Sequence, residues 1–222
     1  MAETSTRPER GGATRTAILD TAVRLYAEHG IHTVSNRQIS EAAGQGNSAA
    51  VGYHFGTKAD LVRAISRRHA EQVERSRAEM TAAAAGSDDV RDWIACLVRP
   101  FTGHLASLGG PTWFARFTVQ VTSDPALHEI LVEEALTSES LRTLLLGLNG
   151  CLPDLPPAVH EERAIMARHL IAQMCAERER ALADGTPTLQ PSWDDLATGL
   201  IDAIAGLWPA PVTRRTPRTG GT

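Results

Sequence analysis

Cysteine is scarce. Cys96, Cys151 and Cys175 are the only three in 222 residues, widely separated and without a CxxC pair, which argues against a disulfide framework and against a zinc site. Three reduced thiols are expected, two or three of them serving as small core residues. Long apolar runs are also missing: no stretch approaches the roughly 18 residues of a membrane span, and no apolar core follows the charged N-terminus. The expectation is a cytoplasmic protein with no membrane partner. Period-two alternation, hairpin dipeptides and a repeat of fixed period are absent, which argues against sheets and solenoids. Nor is there a P-loop, dinucleotide fingerprint, nucleophile elbow or HExxH, and the acidic pairs Glu133-Glu134 and Glu161-Glu162 are adjacent, so they diverge around a helix and read as solvated faces. No catalytic residue, metal ligand or cofactor is expected, and an enzyme is disfavoured.

What remains is ordinary globular material, 42% apolar and 22% charged, in which nearly every segment carries helical spacing. TRTAILDTAVRLYAEHG places Ala17, Ile18, Val23, Leu25 and Tyr26 close to helical spacing and stops at Gly30. TVSNRQISEAAG opens on the N-cap candidate Ser35 and puts Ile39, Ala42 and Ala43 on one face. After the turn Gly44-Gln45-Gly46-Asn47, a third helix is predicted from about residue 48 to 54. Thr57, with Asp60 three positions on, predicts a capping arrangement for a long fourth helix. Helices are then predicted over 88–107, 112–121, one long segment from 124 to 150, from Pro156-Pro157 to about 183, and from Pro191-Ser192 to Trp208. The expected class is all-α with about nine helices.

The formal charge of −4 is unevenly spread. Through Arg77 there are 11 Lys and Arg against 8 Asp and Glu; beyond it, 11 against 18. A basic N-terminal part joined to an acidic remainder suggests a module that meets a polyanion. Two short helices around a Gly-containing turn, preceded by a stabilising helix, make a helix-turn-helix. Its second helix enters the major groove, about 12 Å wide, and small residues there, Ala49, Ala50 and Gly52, keep bulk from holding the backbone off the bases. Asn47 and Ser48 are candidates for base edges, with Gln45 from the turn. Tyr53, His54, Thr57, Lys58 and, on the second helix, Arg37 are candidates for phosphate or base contact. Phe55 is expected in the small-domain core, which is also the alternative for Tyr53. Solvated charge is the alternative for Lys58, and the run Arg63, Arg67, Arg68 is expected as a solvated face with a second phosphate patch as its alternative. Arg7, Arg10 and Arg15 are candidates for a minor-groove arm.

The run from Ile18 to Leu61, with AEHG, TVSNRQISEAAG and YHFGTKADL, resembles the TetR family of bacterial transcriptional regulators. Within it, the chain looks like the subgroup with an Asn-Ser-Ala-Val-x-Tyr-His-Phe-Gly recognition pattern. The resemblance implies a tail over 1–12, a helix-turn-helix DNA-binding domain over 13–60, a ligand-binding and dimerisation domain over 61–208, and a second tail over 209–222. It implies a homodimer built through the last two helices, binding a palindromic double-stranded DNA operator as a repressor that a small-molecule effector releases. An activator, a DNA binder without sequence preference and a small-molecule carrier are the alternatives. Candidate effector contacts are Trp93, His104, Trp113, Phe114, Phe117, Gln120, Met166, His169, Gln173 and Met174, with plain core packing the other account of each. His169 and Gln173, at i and i+4, share one helix face. The stripe Leu196, Leu200, Ile201, Ile204, Leu207 and Trp208 is expected at a shared four-helix interface, with intrachain core as its alternative.

Overall fold

In the computed structural model, which describes residues 7–212, side-chain caps punctuate the chain into ten helices among the described residues: α1 (Arg7–His29), α2 (Asn36–Ala42), α3 (Ala50–Phe55), α4 (Lys58–Ala83), α5 (Val90–Ser107), α6 (Phe114–Ser123), α7 (Pro125–Leu136), α8 (Glu139–Cys151), α9 (Pro157–Asp184) and α10 (Trp193–Leu207). The all-α expectation holds. Two full capping boxes frame the N-terminal part. Ser35 accepts from the Gln38 amide while the Gln38 side chain accepts from the Ser35 amide, and Thr57 and Asp60 do the same at α4. The 26 residues of α4, about 39 Å of helix, start among α1–α3 and run on against α5, α7 and α8. One continuous apolar core extends from Ile18 in α1 to Trp208 after α10.

Helix α9 has little apolar periodicity because three of its buried residues are charged, and two of them serve the ends of other helices. Trp113 starts α6 without a side-chain cap. Glu179, fully buried, supplies one from across the core. It accepts from Thr112 Oγ1 at 2.6 Å, from the Ala115 amide at 3.1 Å and from the Arg116 amide at 2.9 Å, with the Arg116 guanidinium 3.5 Å away. A carboxylate at a helix N-terminus also meets the positive end of its dipole. Arg163 does the converse at the end of α10, donating to the Trp208 carbonyl and to the Ala210 carbonyl at 2.6 Å. Arg178 holds the loop before α10 through the Gln190 and Pro191 carbonyls and stacks over Trp193.

Several expectations change. The segment predicted as one helix over 124–150 divides at Thr137, because Ser138 caps a new start by accepting from the Leu141 amide at 3.0 Å; this makes ten helices rather than nine. Helix α1 begins at Arg7, inside the expected tail, and passes through Gly11 and Gly12, each costing about 1 kcal/mol against Ala. Residues 1–6 and 213–222 of the expected tails, and the side chains of Arg7 and Arg10, lie outside the described residues. The stripe of α10 is intrachain core: Leu196, Leu200, Ile201, Ile204 and Trp208 are buried within one chain, where α10 packs on α5. Cys96 and Cys175 are buried and Cys151 half-buried, all three free, and burial pushes each thiol above its ordinary range. Glu133 and Glu134 are not merely solvated, since they reach Arg63 and Arg67 of α4.

Glu179→Ala would strand a hydroxyl and two amides and take the ion-pair partner from the half-buried Arg116 guanidinium. The expected loss is about 3 kcal/mol of unfolding free energy, read from the midpoint of urea denaturation followed by circular dichroism.

Candidate nucleic-acid interface and internal cavity

A buried serine sets the angle between the two short helices. Ser40, fully buried on α2, donates to the Asn36 carbonyl at 3.0 Å and accepts from the Val51 amide of α3 at 3.2 Å. It thus satisfies one of the amides that a helix start leaves without an internal partner. Gly44 makes the turn between α2 and α3 at φ +68, a conformation that a side chain disfavours. Ala50 and Val51 fasten α3 to the core, and Asn47 folds its Oδ1 back to the Ala49 amide at 2.9 Å. This leaves Asn47, Ser48, Ala49, Gly52 and Tyr53 exposed. A side chain at Gly52 would meet nothing within 4 Å, so its bareness answers no need of this chain's own packing.

Tyr53 settles one open choice: it is 84% exposed and not core, its ring edge-on to His54. Phe55 is half-buried against the core, with the Arg15 guanidinium 4.3 Å above its ring. That same guanidinium donates to the His54 carbonyl at 3.0 Å, so Arg15 clamps the end of α3 and is no part of a flexible arm. Arg37 is exposed on α2 in an i,i+4 pair with Glu41, a pairing weak enough to exchange.

Three other candidates turn away from the surface. Gln45 bends its amide back to the Ala43 carbonyl at 2.9 Å. The Thr57 hydroxyl is taken up by the cap, donating to Asp60 Oδ2 at 2.6 Å. Lys58 donates from Nζ to the Ile31 carbonyl at 2.7 Å and the Val34 carbonyl at 2.8 Å, with the Tyr26 ring beneath it at 6.0 Å. Burial holds its ammonium below the ordinary lysine range. Its first task is to lock the turn between α1 and α2 onto the start of α4. The basic run is neutralised as well: Arg63 pairs with Asp60, Glu133 and Glu134, Arg67 with Glu134, and Arg68 with Asp20 at 2.7 Å. The run is thus a face of paired charge.

A cavity of about 570 Å³ opens between α4, α5, α6, α7 and α8, within the usual range for small-molecule sites. Of the candidate effector contacts, Phe114 and Phe117 line it. The others lie elsewhere. Trp93 is buried against Gly147 and donates from Nε1 to the Ser87 carbonyl at 3.0 Å. His104 is buried beside the cavity wall, its Nε2 2.7 Å from His69 Nδ1, and His69 stacks on Phe114 at 3.8 Å. Burial pushes His69 down to about 3 and lowers His104, so both rings are neutral near pH 7. Trp113 is half-buried at the start of α6, and Gln120 is exposed near Gly30. Met166, His169 and Gln173 do share one face of α9, but that face is exposed, and Met174 packs at the edge of the core. The wall that sequence reasoning missed is α4, through Ser66, Ala70, Val73 and Arg77. Its one signal was Ser66 sitting among Val62, Ile65 and Val73 on the apolar face.

The cavity and the helix-turn-helix share parts. Phe117, in the cavity wall, stacks on Tyr26 of α1 with centroids 6.2 Å apart. His32, in the turn before α2, meets Asp124 at 2.5 Å, the residue that caps α7.

Residues 18–65 match the family of bacterial regulatory proteins named tetR, so the helix-turn-helix is a tetR-type N-terminal domain. No curated protein sequence matches the chain. Solved structures show its fold. A TetR family transcription regulator from Marinobacter aquaeolei is 16% identical with a TM-score of 0.61, over 90% of this chain and 97% of that one. The TetR family transcriptional regulator PfmR from Thermus thermophilus is 18% identical with a TM-score of 0.54, over 85% and 97%. The multidrug binding protein EbrR, solved with imidazole, is 23% identical with a TM-score of 0.51, over 96% and 100%.

The two ends of YHFGTK are expected to respond differently to substitution. Tyr53→Ala should leave stability within about 0.5 kcal/mol while weakening binding to specific DNA about tenfold. Lys58→Met should cost about 2 kcal/mol of stability by stranding two carbonyls. Thermal denaturation beside gel-shift titration separates the two effects.

Proposed function

We propose that the chain is a ligand-responsive transcriptional regulator, which binds a palindromic operator as a homodimer and acts as a repressor released by a small-molecule effector. One observation carries the reading: a tetR-type helix-turn-helix whose second helix is held by Ser40 and presents an unoccupied strip, Asn47, Ser48, Ala49, Gly52 and Tyr53. Small residues let such a helix lie close in the major groove, with Asn47 and Ser48 toward base edges and Tyr53 and Arg37 toward phosphates. Lys58 has a third N–H beyond the two it spends internally, and His54 lies beside Tyr53. Residues 13–60 form the DNA-binding part in this reading, and 61–208 the effector and dimerisation part.

The dimer is assigned to the outer faces of the last two helices. Ile165 and Met166 of α9 are exposed, 40% and 46%, and Gly199, Ala203 and Gly206 are exposed on α10, residues small enough for a second copy to approach closely. The effector is assigned to the cavity. EbrR, described as a multidrug binding protein, supports a small-molecule site in this architecture. The coupling runs through α4, which forms one cavity wall and begins at the helix-turn-helix, and through Phe117 against Tyr26. An effector changes DNA affinity only by binding more tightly to the state in which the two reading helices are misplaced.

Selection from a random duplex pool tests the reading. The recovered duplexes should share an inverted repeat whose half-sites lie about 34 Å apart and should bind about a thousandfold or more tightly than random DNA. Uniform affinity for all duplexes with a steep salt dependence would make the protein a DNA binder without sequence preference.

A further inference from the structure

Resting on the reading of the cavity as an effector site, we propose that its occupant is an apolar cation. The interior wall is aromatic, with Phe101 from α5 and Phe114 and Phe117 from α6. Four carboxylates and two guanidinium groups also line the cavity. Both guanidinium groups are already matched. Arg67 pairs with Glu134 at 2.8 Å. Arg77 pairs with Glu74, which accepts as well from Ser138 and, at 2.6 Å, from Ser140. Glu71 on α4 and Glu139, the first residue of α8, line the cavity, are exposed, and among the described residues have no ion-pair partner. The uncompensated charge of the lining is therefore negative. An anion would find two carboxylates facing it and the lining cations already neutralised. A cation gains from both carboxylates, and its apolar body from contact with the phenylalanine wall.

A second observation marks the cavity as a site and not a packing gap. Ser66 is 7% exposed, lines the cavity, and its Oγ has no hydrogen-bond partner. A helical serine ordinarily returns its hydroxyl to a carbonyl one turn back, and buried polar atoms are ordinarily partnered. Ser66 Oγ is left for an occupant's polar atom. Arg77 Nε is also buried without a partner. Because Glu74 neutralises that guanidinium, it offers a hydrogen bond and not a net positive field.

Tetraphenylphosphonium and tetraphenylborate have nearly the same shape and opposite charge, so isothermal titration of the full chain with each isolates the sign. The phosphonium should bind about tenfold or more tightly than the borate, and the double variant Glu71→Gln, Glu139→Gln should remove most of that preference. Ala70→Trp, placed at an exposed lining position of α4, should abolish binding of the phosphonium. Equal or tighter binding of the borate, binding that ignores Ala70→Trp, or no binding of the phosphonium would overturn the proposal. A gel shift with the selected duplex keeps the two readings apart. Phosphonium that binds in the cavity without changing DNA affinity would uphold the ligand class and contradict effector release.

Discussion

The frame around α2 and α3 hangs on one ammonium group, which ties the turn before α2 to the start of α4. Lys58 is the only lysine among 22 basic residues, and its Nζ bridges the Ile31 and Val34 carbonyls above the Tyr26 ring. The bridge joins the turn between α1 and α2 to the first residue of α4, just after α3 ends. An arginine would bring a flat fork and a longer stem to a place that needs a compact donor with freely disposed N–H groups. Since Tyr26 stacks in turn on Phe117, the group that fixes the helix-turn-helix also sits one ring away from the cavity wall.

Around this hub the molecule repeatedly uses charged side chains of one helix to finish another. Glu179 of α9 completes the start of α6, Arg163 the end of α10, and Arg15 of α1 the end of α3. The clamp at α3 has a functional consequence. A six-residue helix with no side-chain cap of its own is marginal in isolation. Here Ser40 at its start and Arg15 at its end supply from outside what the helix lacks, so its outer face can stay bare.

Much of this was legible in the sequence because it is local. Ser35 with Gln38, Thr57 with Asp60, and the turn around Gly44 are contacts within a few residues, and the spacing of Ala49, Gly52 and Tyr53 places them on one side of a single turn or two. The cavity was not legible for the opposite reason. Its lining comes from five helices, and a periodic pattern says which face of a helix is buried without saying against what. Thus Trp93 and Phe117 are both aromatic residues at apolar positions, yet one fills the hollow left by Gly147 and the other faces the cavity. His169 and Gln173 do share a face, as their spacing required, but it points outward. Lys58 and Thr57 were recognised as polar residues beside the groove. The carbonyls that Lys58 meets, 24 or more residues away, could not be read from position alone.

The central claim is that α3, paired by the symmetry of a dimer, reads two successive turns of DNA. Hydroxyl-radical footprinting of the full chain on a duplex recovered by selection tests it most directly. Two protected tracts, about one helical turn apart centre to centre on one face of the duplex, are predicted, both needing about ten times more protein with Tyr53→Ala. A single tract, or protection by that variant at the unaltered protein concentration, would contradict the account.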